Sequence, residues 1–172
     1  PVYGIYYDEG IKDDNFAPIF TYDDIFGTVL NRFIVQGVVG TPLTVYGSGT
    51  QTRGYINVVD TIKCIKLTLK NKPKKGELAI YNQFTEQFSV NELAELVVSS
   101  LAKISITASI KKIQNPRIEK EKHYYNAKHS NIKKMGLQPL KLNSKIINDI
   151  AKYVMKYKKN INPNIIKPKV NW

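Results

Sequence analysis

Arg53 sits just beyond a glycine turn, Gly47-Ser48-Gly49, and seven residues ahead of Asp60. The two glycines supply the backbone freedom of a sharp turn. The flanking runs, Thr44-Val45-Tyr46 and Tyr55-Ile56-Asn57-Val58, read as the strands of a hairpin. A guanidinium on that rigid base presents a planar fork able to grip two phosphate oxygens at once, which is the chemistry that holds a nucleotide diphosphate. A surface hairpin with an exposed arginine is the competing reading of the same residues.

Arginine is scarce, since of 26 basic residues only Arg32, Arg53 and Arg117 carry a guanidinium. In a lysine-rich chain, an arginine kept in a loop points to bidentate work that an ammonium does poorly. Arg53 and Arg117 fit that description. Arg32, in a helix-patterned stretch, reads as one half of a surface ion pair. His123 and His129 are six apart, with no cysteine or acidic cluster at metal-ligand spacing, so zinc is not expected. No G-x-x-G-x-x-G run follows a strand near the start, and with it a dinucleotide pyrophosphate cradle is missing from the sequence.

These side chains need elements to position them. Thr21 to Val39 has helical periodicity, with Ile25, Val29, Phe33 and Gln36-Gly37 on one face, and Gly40 followed by Pro42 stops it. Asp60 or Thr61 is placed to cap a helix through about Leu69, with Val59, Ile62, Ile65 and Leu69 as its apolar stripe. Glu77 to Asn82 reads as a strand. Ser89 with Glu92 forms a capping-box signature for a helix to about Ala102. Ile104 to Ile113 reads as a strand, Ser130 to Lys134 as a helical turn ended by Gly136, and Ser144 to Lys158 as the last helix. Helices outnumber short, scattered strands, which suits an α/β lobe leaning on a larger partner better than a complete doubly wound sheet.

The chain of 172 residues is long enough for a core, and 42% hydrophobic with 10% aromatic residues is the composition of a folded protein. No apolar run reaches bilayer length, so a membrane is not an expected partner. A lone cysteine, Cys64, lies in an apolar helical pattern and reads as a buried thiol in a reducing compartment. The net charge of +12 is lopsided: residues 1–100 hold nine Lys/Arg against eleven Asp/Glu, and residues 101–172 hold seventeen against three. That asymmetry suits an anionic partner, a solvated lysine face, or a domain whose other half is acidic. Aromatic interleaving is limited to tyrosines at helical spacing, which disfavours nucleic acid.

The run from Thr44 to Asp60 resembles the "PLTVYGxGxQTRGYxxVxD" stretch of extended short-chain dehydrogenase/reductase enzymes that act on nucleotide sugars. Further runs are similar to the UDP-sulfoquinovose synthase family within it. These are Tyr22-Asp23, Phe26-Gly27-Thr28 through Asn31-Arg32-Phe33, Tyr81 to Ala94, Asn115-Pro116-Arg117-Ile118-Glu119, His123 to His129 and Gly136-Leu137-Gln138-Pro139. The Tyr81 to Ala94 run is more specific than the glycine turn.

The resemblance implies an α/β fold, the C-terminal substrate-binding lobe of such an enzyme without most of its Rossmann domain. Val2-Tyr3-Gly4 would match the end of the sixth Rossmann strand. Residues 1–20 would then be the end of that domain with its connecting loop, and residues 21–172 the nucleotide-sugar-binding domain. It further implies NAD held mainly by the missing N-terminal domain, UDP-glucose and sulfite as substrates, and a homodimer formed through Rossmann helices. The complete enzyme would oxidise C4, eliminate water across C5 and C6, add sulfite at C6 and reduce C4 again. A cytoplasmic prokaryotic or archaeal setting fits, with sulfolipid synthesis as one family role. Tyr124 and Lys128 have the Tyr-x-x-x-Lys spacing, but not where the family places its catalytic pair. The matched region begins after the family's catalytic threonine, tyrosine and lysine, so no turnover is expected of this chain alone.

Residue by residue, the resemblance places Thr28 and Val29 at the helix start against the nucleotide sugar. Thr44, Val45 and Tyr46 fall on the strand whose backbone edge reads uracil. Arg53 falls on the diphosphate, Asn82 at the phosphates, and Arg117 on the diphosphate or ribose from the opposite side. Glu119 or Glu121 would accept from ribose hydroxyls, and His123 lies near Arg117 in sequence. Read as structure only, Thr28 is a solvent-facing residue, Val29 a core residue, Thr44 to Tyr46 an ordinary strand and Asn82 a turn initiator. Two other functions compete: another UDP-sugar epimerase or dehydratase, and a basic module that binds nucleic acid or an acidic protein.

Overall fold

The computed structural model describes residues 1–5, 19–23, 25–115 and 130–166. Among them the elements run β1 (Val2–Tyr3), α1 (Val29–Val39), β2 (Leu43–Tyr46), β3 (Thr52–Asn57), α2 (Val58–Lys70), β4 (Glu86–Ser89), α3 (Val90–Ala102), β5 (Ile110–Ile113), α4 (Ser130–Lys134) and α5 (Ser144–Lys156), with a 3-10 turn at Lys158–Asn160.

Helix α1 is buried at every position from Leu30 to Val38, the signature of a helix enclosed by its neighbours. It begins at Val29 rather than Thr21. Asp23 Oδ1 accepts the N–H groups of Ile25 at 2.8 Å and Phe26 at 2.7 Å, a local turn that takes donors a helix would need. Ile25, expected on the inner face, is exposed. The other end behaves as read: Gly40 adopts φ +77° and donates back to the carbonyls of Gln36 and Gly37.

The glycine turn does not close a hairpin. β2 pairs in parallel with β5, Leu43 opposite Ile110 and Tyr46 opposite Ile113. β3 lies between β1 and β4, parallel to β1 and antiparallel to β4, with Arg53 opposite Phe88. The turn is therefore a corner between two sheets, and α3 holds it there. Asn91 donates its backbone N–H to Gly49 O at 3.0 Å and its side-chain amide to Ser48 O at 2.9 Å. Gly49 has φ +71°, and a Cβ there would collide with Asn91 Oδ1.

Helix α2 is capped by Asn57, whose Oδ1 accepts from Val59 N at 2.9 Å, and not by Asp60 or Thr61. Its buried positions are Asp60 and Cys64, while Ile65 and Leu69 of the expected stripe are exposed. No strand forms over residues 77–82, and Leu78 and Ile80 are exposed. Both edges of β3 are already taken by β1 and β4, which leaves that run without a partner there. The expected strand over 104–113 shrinks to β5 for the same kind of reason: only its end meets β2.

The capping box of α3 is present, with Ser89 Oγ accepting from Glu92 N and Glu92 Oε2 accepting from Ser89 N at 2.7 Å. Asn143 caps α5, which turns Ile147, Ile150, Ala151 and Val154 inward. The main core joins α1, α3 and α5 through Leu30, Phe33, Leu93, Val97, Leu101 and Ile147, and a smaller cluster of Ile56, Cys64, Ile132 and Leu137 seats α4. Among the described residues no helix is long and apolar enough to cross a membrane.

Candidate functional site

The site is built where α1 meets β2. Gln36 is wholly buried, and its Oε1 accepts Thr44 N–H at 3.0 Å while its Nε2 donates to Thr44 Oγ1 at 2.9 Å. One turn earlier, Arg32 Nη2 donates to Thr44 O at 3.4 Å. The Arg32 guanidinium carbon lies 5.2 Å from the Tyr46 ring centroid and 5.6 Å from that of Phe33. At 7% exposure, Arg32 is not the surface residue its helical pattern suggested. Two aromatic faces and a carbonyl replace water around its charge.

Thr44 and Val45 are buried, and Tyr46 is half-buried at the end of β2. The backbone N–H and C=O of Thr44 are both engaged by α1 side chains. Thr28 is the N-cap residue of α1, yet its hydroxyl makes no capping bond and is buried with no hydrogen-bond partner among the described residues. Most N-cap threonines spend that oxygen on the helix; this one keeps it, and the solvent-facing reading does not hold. Val29 packs, half-buried, against the main core.

Arg53 is half-buried in β3, where its Nη1 donates to Thr52 O at 2.8 Å. Tyr55, two residues on, shares its side of the strand and is 1% exposed. Burial pushes the Tyr55 phenol up to about 12, and the charges of Arg53 and then Arg32 pull it back. Asn82 is exposed in the strandless stretch between α2 and β4. Arg117, Glu119, Glu121, His123 and His129 lie outside the described residues, and with them the expected approach of Arg117 to Arg53.

Sequence reasoning missed Arg32, Gln36 and Tyr55 as parts of this neighbourhood. A signal existed for the first two. Arg32 and Gln36, four apart, lie on one face of a helix whose only other polar residue is Asn31, and that face is buried. Cys64 offers no nucleophile: burial, and next the charge of Asp60, push its thiol up. Taken singly, the half-buried Arg53, the Tyr46 ring and the unspent Thr28 hydroxyl are groups that suit an anionic, ring-bearing ligand.

The fold is that of the C-terminal part of extended short-chain dehydrogenase/reductase epimerases and dehydratases. It matches a UDP-N-acetylglucosamine 4-epimerase from Methanobrevibacter ruminantium, solved with UDP-N-acetylmuramic acid, at a TM-score of 0.61 and 18% identity, over 91% of this chain and 44% of that one. It also matches a UDP-glucuronic acid 4-epimerase from Bacillus cereus, solved with UDP-glucuronic acid and NAD, at a TM-score of 0.58 and 25% identity, over 76% of this chain and 40% of that one.

In sequence the chain is similar throughout to UDP-sulfoquinovose synthases. It is 43% identical to the chloroplastic enzyme of Spinacia oleracea over 99% of this chain and 36% of that protein. It is 37% identical to the Sulfolobus acidocaldarius enzyme over 100% of this chain and 44% of that protein. The chain therefore spans less than half the length of these relatives. They come from a plant chloroplast and an archaeon, and so do not single out a prokaryotic source. No family model matches the chain.

Proposed function

We propose that the chain is the nucleotide-sugar-binding lobe of an enzyme that converts UDP-glucose and sulfite to UDP-sulfoquinovose. The observation that carries this reading is the whole-chain identity, 43% and 37%, to two synthases of that name from a plant and an archaeon. The site supports it. Arg53 supplies a bidentate cation for the diphosphate. Thr28 supplies a hydroxyl for the sugar nucleotide at the start of α1, and Tyr46 closes the base end. Asn82 is assigned to the phosphates, and Arg117 to the diphosphate or ribose, on sequence likeness alone.

NAD belongs to the same proposal, but the described residues of this chain do not form its cradle. The turns at Gly47, Gly49 and Gly136 do not join a strand to the start of a long helix as a dinucleotide site requires. No chemical step through NAD is therefore assigned to these side chains. Their work is to bind and orient the sugar nucleotide, and turnover, sulfite capture and dimer formation are assigned to the longer enzyme.

Calorimetric titration with UDP tests the binding role. Saturable binding is expected, and Arg53→Ala should weaken it by roughly a hundredfold, the worth of one charge-assisted bidentate contact. Salt-sensitive binding to mixed RNA, with no response to UDP, would replace this reading with a basic nucleic-acid module. Assay of the longer enzyme with UDP-glucose and sulfite separates the synthase from other UDP-sugar enzymes. UDP-galactose, or a 4-keto product indifferent to sulfite, would identify an epimerase or dehydratase instead.

A further inference from the structure

We infer that Arg32 is a positioning residue for base recognition, locking the Tyr46 ring and the β2 backbone to the start of α1. This deepens the nucleotide-sugar reading above and rests on it. The guanidinium is almost fully enclosed, donates to Thr44 O and lies near the Phe33 and Tyr46 rings. Burying a charge this way costs free energy that a purely structural apolar residue would not incur.

Placement supplies the rest. Val29, Arg32 and Gln36 are three and four residues apart, so they share one helical face. Thr28 and Val29 open the helix at one end of that face, and Thr44 to Tyr46 form the strand against it. Gln36 fixes Thr44, and Arg32 extends the hold to the Tyr46 ring. Both candidate contact elements are therefore set by the same pair of side chains. Lysine cannot substitute, because an ammonium has no planar face to lay against a ring and no fork to share between ring and carbonyl. Arg53, on the other sheet, is left to grip the phosphates.

The division of labour predicts a change in nucleotide preference. UDP and ADP carry the same diphosphate and differ at the base. Wild-type protein, Arg32→Lys and Arg32→Met are titrated with each, and circular dichroism reports the fold. UDP affinity should fall roughly tenfold in both variants, and the preference for UDP over ADP should shrink by about the same factor. An unchanged preference overturns the inference, whether or not both affinities drop together. Loss of fold in both variants also overturns it, because Arg32 is then a structural part. Absence of UDP binding by the wild-type protein removes the nucleotide-sugar reading itself; an unchanged preference in the variants removes only the role of Arg32.

Discussion

The carboxylate of Asp60 accepts the backbone N–H of Leu140 at 2.6 Å, across a sequence separation of 80 residues. Its other oxygen pairs with Lys63 Nζ at 2.9 Å. Two residues beyond Leu140, Leu142 N–H donates to Glu86 Oε2 at 2.7 Å. The segment that leads into α5 is thus held by carboxylates from α2 and β4, which fixes α5 against α1 and α3.

Removing the buried Asp60 carboxylate takes the acceptor from a part-buried Leu140 N–H and the partner from a half-exposed Lys63 ammonium. Asp60→Ala should destabilise the fold by roughly 2–4 kcal/mol, and Asp60→Asn by less, since an amide oxygen still serves Leu140. Urea unfolding of both variants measures this; equal losses would mean the ion pair, not the Leu140 bond, dominates.

Glu86 should make stability fall with rising pH. Burial pushes its carboxyl up, the Leu142 N–H and Lys141 partly offset this, and Asp60 pushes it further up. The folded state therefore holds the Glu86 proton more tightly than the unfolded chain does. The associated stability is fully present below the ordinary glutamate pKa of about 4.3 and is lost as pH rises through the higher folded value. Glu86→Gln still accepts from Leu142 and does not titrate. Denaturation curves from pH 4 to 7 should show wild type losing ground relative to that variant as pH rises; a parallel pair of curves would remove the effect.

At Gly49, alanine meets a positive φ and two neighbours, Asn91 Oδ1 and Val45 Cγ1. Gly49→Ala should cost roughly 1–3 kcal/mol. Adding Asn91→Ala should recover part of that loss, as expected of residues in contact. Thermal melts of the single and double variants decide it, and strict additivity would deny the contact.

Cys64 should be silent toward a disulfide reagent in the native state. It is wholly buried and its thiol is raised, so both access and thiolate are lacking. Labelling in rising urea should track global unfolding, whereas stoichiometric native labelling would put the thiol at the surface.

Much of the local order was legible from the chain. Gly40 ends α1, Ser89 with Glu92 opens α3, and Gly136 follows α4, because a cap or a left-handed turn depends only on residues a few positions apart. The likeness to nucleotide-sugar enzymes was legible too, being carried by runs of residues rather than by contacts.

Pairing was not. Nothing near Thr44 says that β2 will choose β5 in parallel instead of β3 across the glycine turn. Nothing near Glu77 says that β4 will fill the edge of β3 first. Strand partnership is settled by which edges remain open once the helices have packed, and that is a property of the whole molecule. The same holds for Arg32, whose charge taken alone suits solvent. Its burial follows from two rings and a carbonyl brought beside it by α1 and β2, so charge type was written in the residue while its surroundings were set by the fold.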